Sequence, residues 1–185
     1  PKDIKTAVKW YTLAAKQGRA SAQYNLGTVY RIGDGVPRND KTAVKWYTLA
    51  AKQGDAFHQW NLGVMYYQGR GVPKDIKTAV KWYTLAAKQG DAFHQIKLGV
   101  MYENGDGVPQ DYKTAVKWYT LAAEQGNAHA QKFLGFMYSN GKGVPQDHKT
   151  AVKWYTLAAK QGNADAQYNL GFMYSNGKDV PQDYK

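Results

Sequence analysis

TAVKWYTLAA, residues 6–15, returns letter for letter at 42–51, 78–87, 114–123 and 150–159. The step is thirty-six residues, and Pro1, Pro37, Pro73, Pro109, Pro145 and Pro181 keep it. Gly18, Gly54, Gly90, Gly126 and Gly162 follow the same step. A period of this size marks stacked supersecondary units, none of which buries its apolar face alone. The chain of 185 residues is therefore expected to form a single elongated array over 1–185, not a globule around one core.

Each repeat reads as two helices. In 73–90, PKDIKTAVKWYTLAAKQG, Asp75 suits an N-cap and Gly90 a left-handed stop. Between them Ala79, Val80, Tyr83, Ala86 and Ala87 recur at three- and four-residue steps, the pattern of an amphipathic helix. The segment 91–105 has Asp91 at its start and Gly105 at its end, and the GDGVP stretch that closes it cannot continue a helix. An antiparallel helix pair of about three to four turns per helix is predicted. Gly27, Gly63, Gly99, Gly135 and Gly171 fall inside helices, where Gly costs about 1 kcal/mol relative to Ala. Their recurrence predicts that a neighbouring ring or backbone occupies the missing side-chain space. The periodic Trp10, Trp46, Trp82, Trp118 and Trp154 are expected to stack between units in a structural role.

The chain resembles the Sel1-like repeat family, relatives of the tetratricopeptide repeats. The resemblance rests on A-x-A-Q-Y-N-L-G-x-M-Y-x-N-G-x-G-V followed by D-x-x-x-A-x-x-W-Y-x-x-A-A-x-Q-G, and residues 164–174, ADAQYNLGFMY, fit it closely. It implies an all-α fold, a right-handed α/α superhelical solenoid of about five repeats. It also implies that the first helix of each pair, typified by 91–105, lines a concave groove, and that the protein works as a scaffold or adaptor through protein or peptide binding. The Cys-rich pattern of relatives that have been named hydrolases is missing, since the chain has no Cys.

The formal charge is +11, yet more than half of the 25 Lys and Arg sit at repeating positions typified by Lys5, Lys9 and Lys16. Lys5 and Lys9 share a helix face, and such rows on an outer surface mostly keep an array soluble. A polyanion-binding stripe is the alternative reading of the same rows, without sequence preference. Nucleic acid is not the expected partner. No stretch reaches the roughly 18 apolar residues of a membrane span, and no signal-peptide pattern opens the chain. The compartment stays open. Beginning at Pro1 without Met, part-way through a repeat, is what a fragment, a processed product or an engineered chain would show. The bare ends suggest head-to-tail self-association as a further alternative, a self-assembling structural solenoid.

Variation between copies is concentrated in the first helix. RASAQYNLGTVYRIG (19–33) and NADAQYNLGFMYSNG (163–177) flank three that depart: DAFHQWNLGVMYYQG (55–69), DAFHQIKLGVMYENG (91–105) and NAHAQKFLGFMYSNG (127–141). On a helical wheel, positions 93, 96, 97, 100, 103 and 104 share an arc of roughly 120°. Ala92, Gln95, Leu98, Gly99, Met101 and Tyr102 occupy the rest. One face packs and the other is free to vary.

The free face carries Phe57, Trp60 and Asn61, then Phe93, Ile96 and Lys97, then His129, Lys132, Phe133 and Phe136. Trp60 is the one Trp off the thirty-six-residue step, so repeat packing does not account for it. Clustered exposed aromatics mark binding surfaces. His58 and His94 replace an Ala (Ala22, Ala130, Ala166) on the packing side, and each follows a Phe, as though installed as a pair. Overpacking there should cost roughly 1–3 kcal/mol. Both join the candidate peptide- or protein-binding residues. A natural specificity patch and an engineered, consensus-like origin both fit, the near-identity of the frame weighing toward the second.

First helices about 8–10 Å apart would each face about three residues of an extended peptide, so three altered copies would read about eight. The aromatics and Ile96 would receive apolar or aromatic side chains. Lys97 and Lys132 would prefer a carboxylate, with His129 as a donor. No metal site is expected, because the two His lack a third ligand at suitable spacing, and no cofactor motif occurs. Without a P-loop, a G-x-S-x-G or a Cys nucleophile, catalysis is not expected.

Overall fold

A computed structural model describes residues 3–177. Among them are ten helices and no strand, in two compact units that divide between Gln89 and Gly90. The fold class is all-α, built from helix pairs.

The first unit holds α1 (Ile4–Lys16), α2 (Ala20–Ile32), α3 (Asp40–Ala51), α4 (Ala56–Gln68) and α5 (Ile76–Ala87). Each helix packs on the next in sequence. Helix α3 starts because the Asn39 side chain accepts from Thr42 N at 2.9 Å, and α5 because Asp75 accepts from Thr78 N at the same distance. Both α2 and α4 stop at a left-handed glycine, Gly33 and Gly69. The loop that follows α4 must then pass close to the start of α3. A Cβ on Gly71, itself left-handed at φ +72°, would run into the Asp40 carbonyl.

The core of this unit is the seam the sequence placed on the packing face. Ala43, Val44, Tyr47, Ala51, Leu62 and Met65 are buried together. Trp46 packs against Ala15, Ala22 and Leu26 of the preceding pair, and Trp82 against the α3–α4 cluster, as expected of a structural stack. Trp10 is 67% exposed, with no earlier pair among the described residues to receive it.

The second unit holds α6 (Ala92–Asn104), α7 (Tyr112–Glu124), α8 (Ala128–Asn140), α9 (His148–Lys160) and α10 (Ala164–Ser175). Its central cluster joins Ala115, Val116, Tyr119, Ala122, Ala123, Ala130, Leu134 and Met137, with Trp154 against it. A second cluster joins Ala151, Tyr155, Ala158, Ala166 and Met173.

Two devices hold neighbouring helices at fixed spacing in both units. A tyrosine ring fills the notch above Gly27, Gly63, Gly99 and Gly135: a Cβ on Gly63 would stand 2.6 Å from Tyr83, and one on Gly99 2.5 Å from Tyr119, whereas at Gly171, against the expectation, nothing among the described residues lies within 4 Å. The second device is a glutamine ladder. The buried Gln131 of α8 donates to Ala123 O at the end of α7 (3.3 Å) and accepts from Gln161 past the end of α9 (2.8 Å). Gln161 also donates to Gly126 O at 2.9 Å. In the first unit Gln23 and Gln53 make the same set, to Ala15 O, Gln23 Oε1 and Gly18 O. Thus Ala15 O and Ala123 O, which the backbone N–H of Gly18 and Gly126 reach at 3.0 Å and 2.9 Å, gain a second donor from glutamines tied to partners thirty residues on.

Candidate functional site

The variable residues of the first unit cluster around Tyr24 of α2. His58 stacks on it, with centroids 4.9 Å apart and planes at 25°, and Phe57 lies 5.1 Å away. Phe57 is 55% exposed, the more open of the two. His58 Nδ1 is buried without a hydrogen bond and lies 3.6 Å from Asp55 Oδ1, the cap of its own helix. Asn61 donates its amide to Phe57 O at 2.7 Å, which commits it to its own helix. Trp60 corrects an expectation. It is half-buried, with its ring 4.1 Å from that of Tyr83, so the repeat's own tyrosine supplies the packing that the sequence period did not reveal.

In the second unit Phe93 is 53% exposed, with Lys97 Nζ 5.5 Å from its centroid. His94 is buried, as its Ala-equivalent position predicted, and its pKa is lowered because burial opposes the charged ring more than Asp91 favours it. Ile96 is half-buried against the α7–α8 cluster, so it serves packing as well as surface.

A cleft of about 460 Å³ lies between α6, α8 and α10. Phe133, Phe136 and Lys132 line it from α8, Glu103 from α6, and Asp165 and Tyr168 from α10. Phe133 stacks in turn on the buried Tyr119, at 4.8 Å and 15°. The buried Tyr119 hydroxyl donates to Glu103 Oε2 at 2.6 Å. Burial holds that hydroxyl far above the ordinary phenol range, and the carboxylate it faces adds to this. Lys132 Nζ pairs with Asp165 at 3.3 Å and sits 4.4 Å over the Phe133 ring. His129 does not line this cleft but a neighbouring hollow of about 350 Å³, with Gln161 and Asp165.

Sequence reading therefore found the α8 wall of the cleft and missed its other two. Tyr168 and Asp165 stand at the register of Ile96 and Phe93, on the variable arc, but belong to the last copy, which was not among the three that depart from the frame. Glu103 was on the variable arc, but its role depends on a hydroxyl sixteen residues away. Among the described residues no group of three or more His, Cys, Asp or Glu is placed to hold a metal ion. None of the described helices is long and apolar enough to cross a membrane.

The Sel1 repeat family model matches residues 1–18, 20–55, 59–91, 95–127, 128–163 and 164–185. Among solved structures, the chain is similar to c5321, a protective antigen present in uropathogenic Escherichia coli strains displaying an SLR fold. The identity is 38% over 99% of this chain and 39% of that one, with a TM-score of 0.86. It is also similar to a Sel1 repeat protein from Oxalobacter formigenes, at 36% identity over 96% of this chain and 52% of that one, TM-score 0.87. Helicobacter pylori cysteine rich protein B, at 23% identity over 70% of this chain and 96% of that one with a TM-score of 0.53, shares the fold. The chain spans 39% and 52% of the length of the first two. No curated protein matches the sequence.

Proposed function

The chain belongs to the Sel1 repeat family, and from that premise we propose that it is a non-enzymatic, adaptor-type scaffold that binds a short peptide or protein segment on its first helices. Proteins of this family are generally protein-interaction scaffolds. The observation that carries the finer reading is the cleft between α6, α8 and α10, aromatic in its walls and concave enough to take a side chain. Solitary exposed apolar residues need no explanation, but Phe133, Phe136 and Tyr168 are grouped around one hollow. In the first unit, the Tyr24, Phe57 and His58 group offers a second, flatter aromatic contact. Partner side chains meeting these rings would be apolar or aromatic. Acidic groups of the partner would meet Lys97 beside Phe93. Neither head-to-tail self-assembly nor polyanion binding gains a further observation from the fold.

A random peptide library displayed on phage, selected on the full chain, tests this. Enriched peptides are expected to lose at least about tenfold in affinity against Phe136→Asp or Phe57→Asp, the cost of a charge placed in an aromatic contact. Both side chains reach solvent, so the substitutions should leave the core intact. Enriched peptides that bind both variants as well as the parent would refute the assignment, as would the absence of any enrichment.

A further inference from the structure

Among the side chains that line the α6–α8–α10 cleft, the charges do not balance. Lys132 brings one positive charge, and Glu103 and Asp165 bring two negative ones. The ammonium is already committed, paired with Asp165 and held over the Phe133 ring. A partner carboxylate, the group expected for Lys132 from sequence, would have to displace Asp165 and approach Glu103. The unmatched group is therefore an anion of the protein.

Glu103 is also held ready. Tyr119 O–H fixes Oε2 at 2.6 Å, while Oε1 accepts no hydrogen bond among the described residues. A carboxylate pinned through one oxygen presents the other to a cationic donor in a set orientation, and beside an exposed ring this suits a guanidinium, which stacks on an aromatic face while it hydrogen-bonds. The rings of the cleft agree. Phe133 carries Lys132 Nζ and Phe136 carries Lys142 Nζ, at 4.4 Å and 5.0 Å, so Tyr168, 75% exposed, is the ring left to stack on a further cation. The position itself is not dictated by packing. At the same register in α2 stands Arg31, whose Nε donates to the equivalent hydroxyl, Tyr47, at 3.2 Å. The fold accepts either sign there.

We propose that this cleft takes an arginine side chain of the partner peptide, and that Glu103 is the residue that reads its charge. The inference rests on the peptide-binding reading above. It replaces an acidic partner residue by a basic one at this place.

Three fluorescein-labelled heptapeptide pools test it by anisotropy, each acetylated and amidated, with the central residue fixed as arginine, citrulline or glutamate and the others randomised. Citrulline keeps the shape of arginine and removes its charge. The parent chain should bind the arginine pool at least about tenfold tighter than the citrulline pool, the size of a charge-assisted hydrogen-bonded pair. Glu103→Gln, which keeps an oxygen for Tyr119, should reduce that preference below about twofold, and Glu103→Arg should shift it to the glutamate pool. Equal binding of the arginine and citrulline pools by the parent chain would overturn the proposal, and so would a preference that survives Glu103→Gln. Phe136→Asp separates the two levels. If it abolishes binding of pools among which arginine is not preferred, the charge assignment falls and the groove stands. If it changes nothing, or no pool binds, both fall.

Discussion

Gly99 and Gly171 occupy the same place in two copies and should answer a methyl group in opposite ways. A Cβ at Gly99 would stand 2.5 Å from the Tyr119 ring, which is walled in and cannot swing aside, whereas nothing lies within 4 Å at Gly171. Ala gains about 1 kcal/mol of helix propensity at either site. At Gly99, displacing the ring should outweigh it, for a net loss of about 1–2 kcal/mol. At Gly171 the gain should stand alone, raising the melting temperature followed by circular dichroism. His94 gives a second residue-scale test. Its folded pKa is lowered by burial, so the unfolded chain binds the proton more readily. Stability is then full above the ordinary His value of about 6.5 and falls as the pH drops through it. His94→Ala, the residue of three other copies, should flatten that part of a melting-temperature profile between pH 7.5 and 5.

Helices here are held by their ends as much as by their faces. Asn127 accepts from His129 N at 3.0 Å and Ala130 N at 3.2 Å, so Asn127→Ala should cost about 1 kcal/mol by urea titration. The Asp caps Asp75, Asp111 and Asp147 have lowered pKa values because a threonine hydroxyl and a backbone N–H both donate to the carboxylate. Their stabilisation is present above the ordinary carboxylate value and is lost as the pH falls through the lowered one. This acid loss lies below pH ~4, separate from that of His94. Gln131 tests the ladder that joins three helices. Gln131→Leu would take from Ala123 O one of its two donors and leave the Gln161 amide only its bond to Gly126 O, and should cost about 1 kcal/mol. Gln167→Leu removes the same bond to Ala159 O, but at an exposed site where water replaces it, and should stay within about 0.5 kcal/mol.

At the scale of the molecule, charge works against compactness. The chain carries +11, and Lys41 with Lys45, Lys77 with Lys81, Lys113 with Lys117 and Lys149 with Lys153 are exposed pairs four residues apart. Like charges at that spacing repel, and four ion pairs among the described residues, two of them through His, compensate little. Raising sodium chloride from 10 to 150 mM should shorten the screening length from roughly 30 Å to about 8 Å and raise the melting temperature. A fall in melting temperature over that range would mean that attractive pairs, not the lysine rows, dominate the surface.

The repeat, the helix pairs, their caps and the packing face were all legible in the sequence, because each is a local property restated every thirty-six residues. TAVKWYTLAA returning unchanged made the apolar seam of Ala, Val and Tyr visible without any knowledge of its neighbours, and the mid-helix glycines other than Gly171 announced that something large sat above them. Which ring filled each notch was left to tertiary packing. So was the ladder, since Gln131 and Gln161 stood out only as recurring glutamines until the fold brought thirty residues of separation down to 2.8 Å. The site divided in the same way. Phe133, Phe136 and Lys132 lie in a copy that departs from the frame and could be picked out, but Tyr168 and Asp165 lie in a copy that departs little from it and became walls by facing α8 across the cleft. Trp60 looked free because its partner, Tyr83, lies in the next helix. Lys132 looked like a receptor for acid because Asp165, thirty-three residues on, was not yet beside it. Periodicity reports which face of a helix is buried. The sign and shape of a cleft arise from side chains on separate helices, and their separation in the chain carries no record of that meeting.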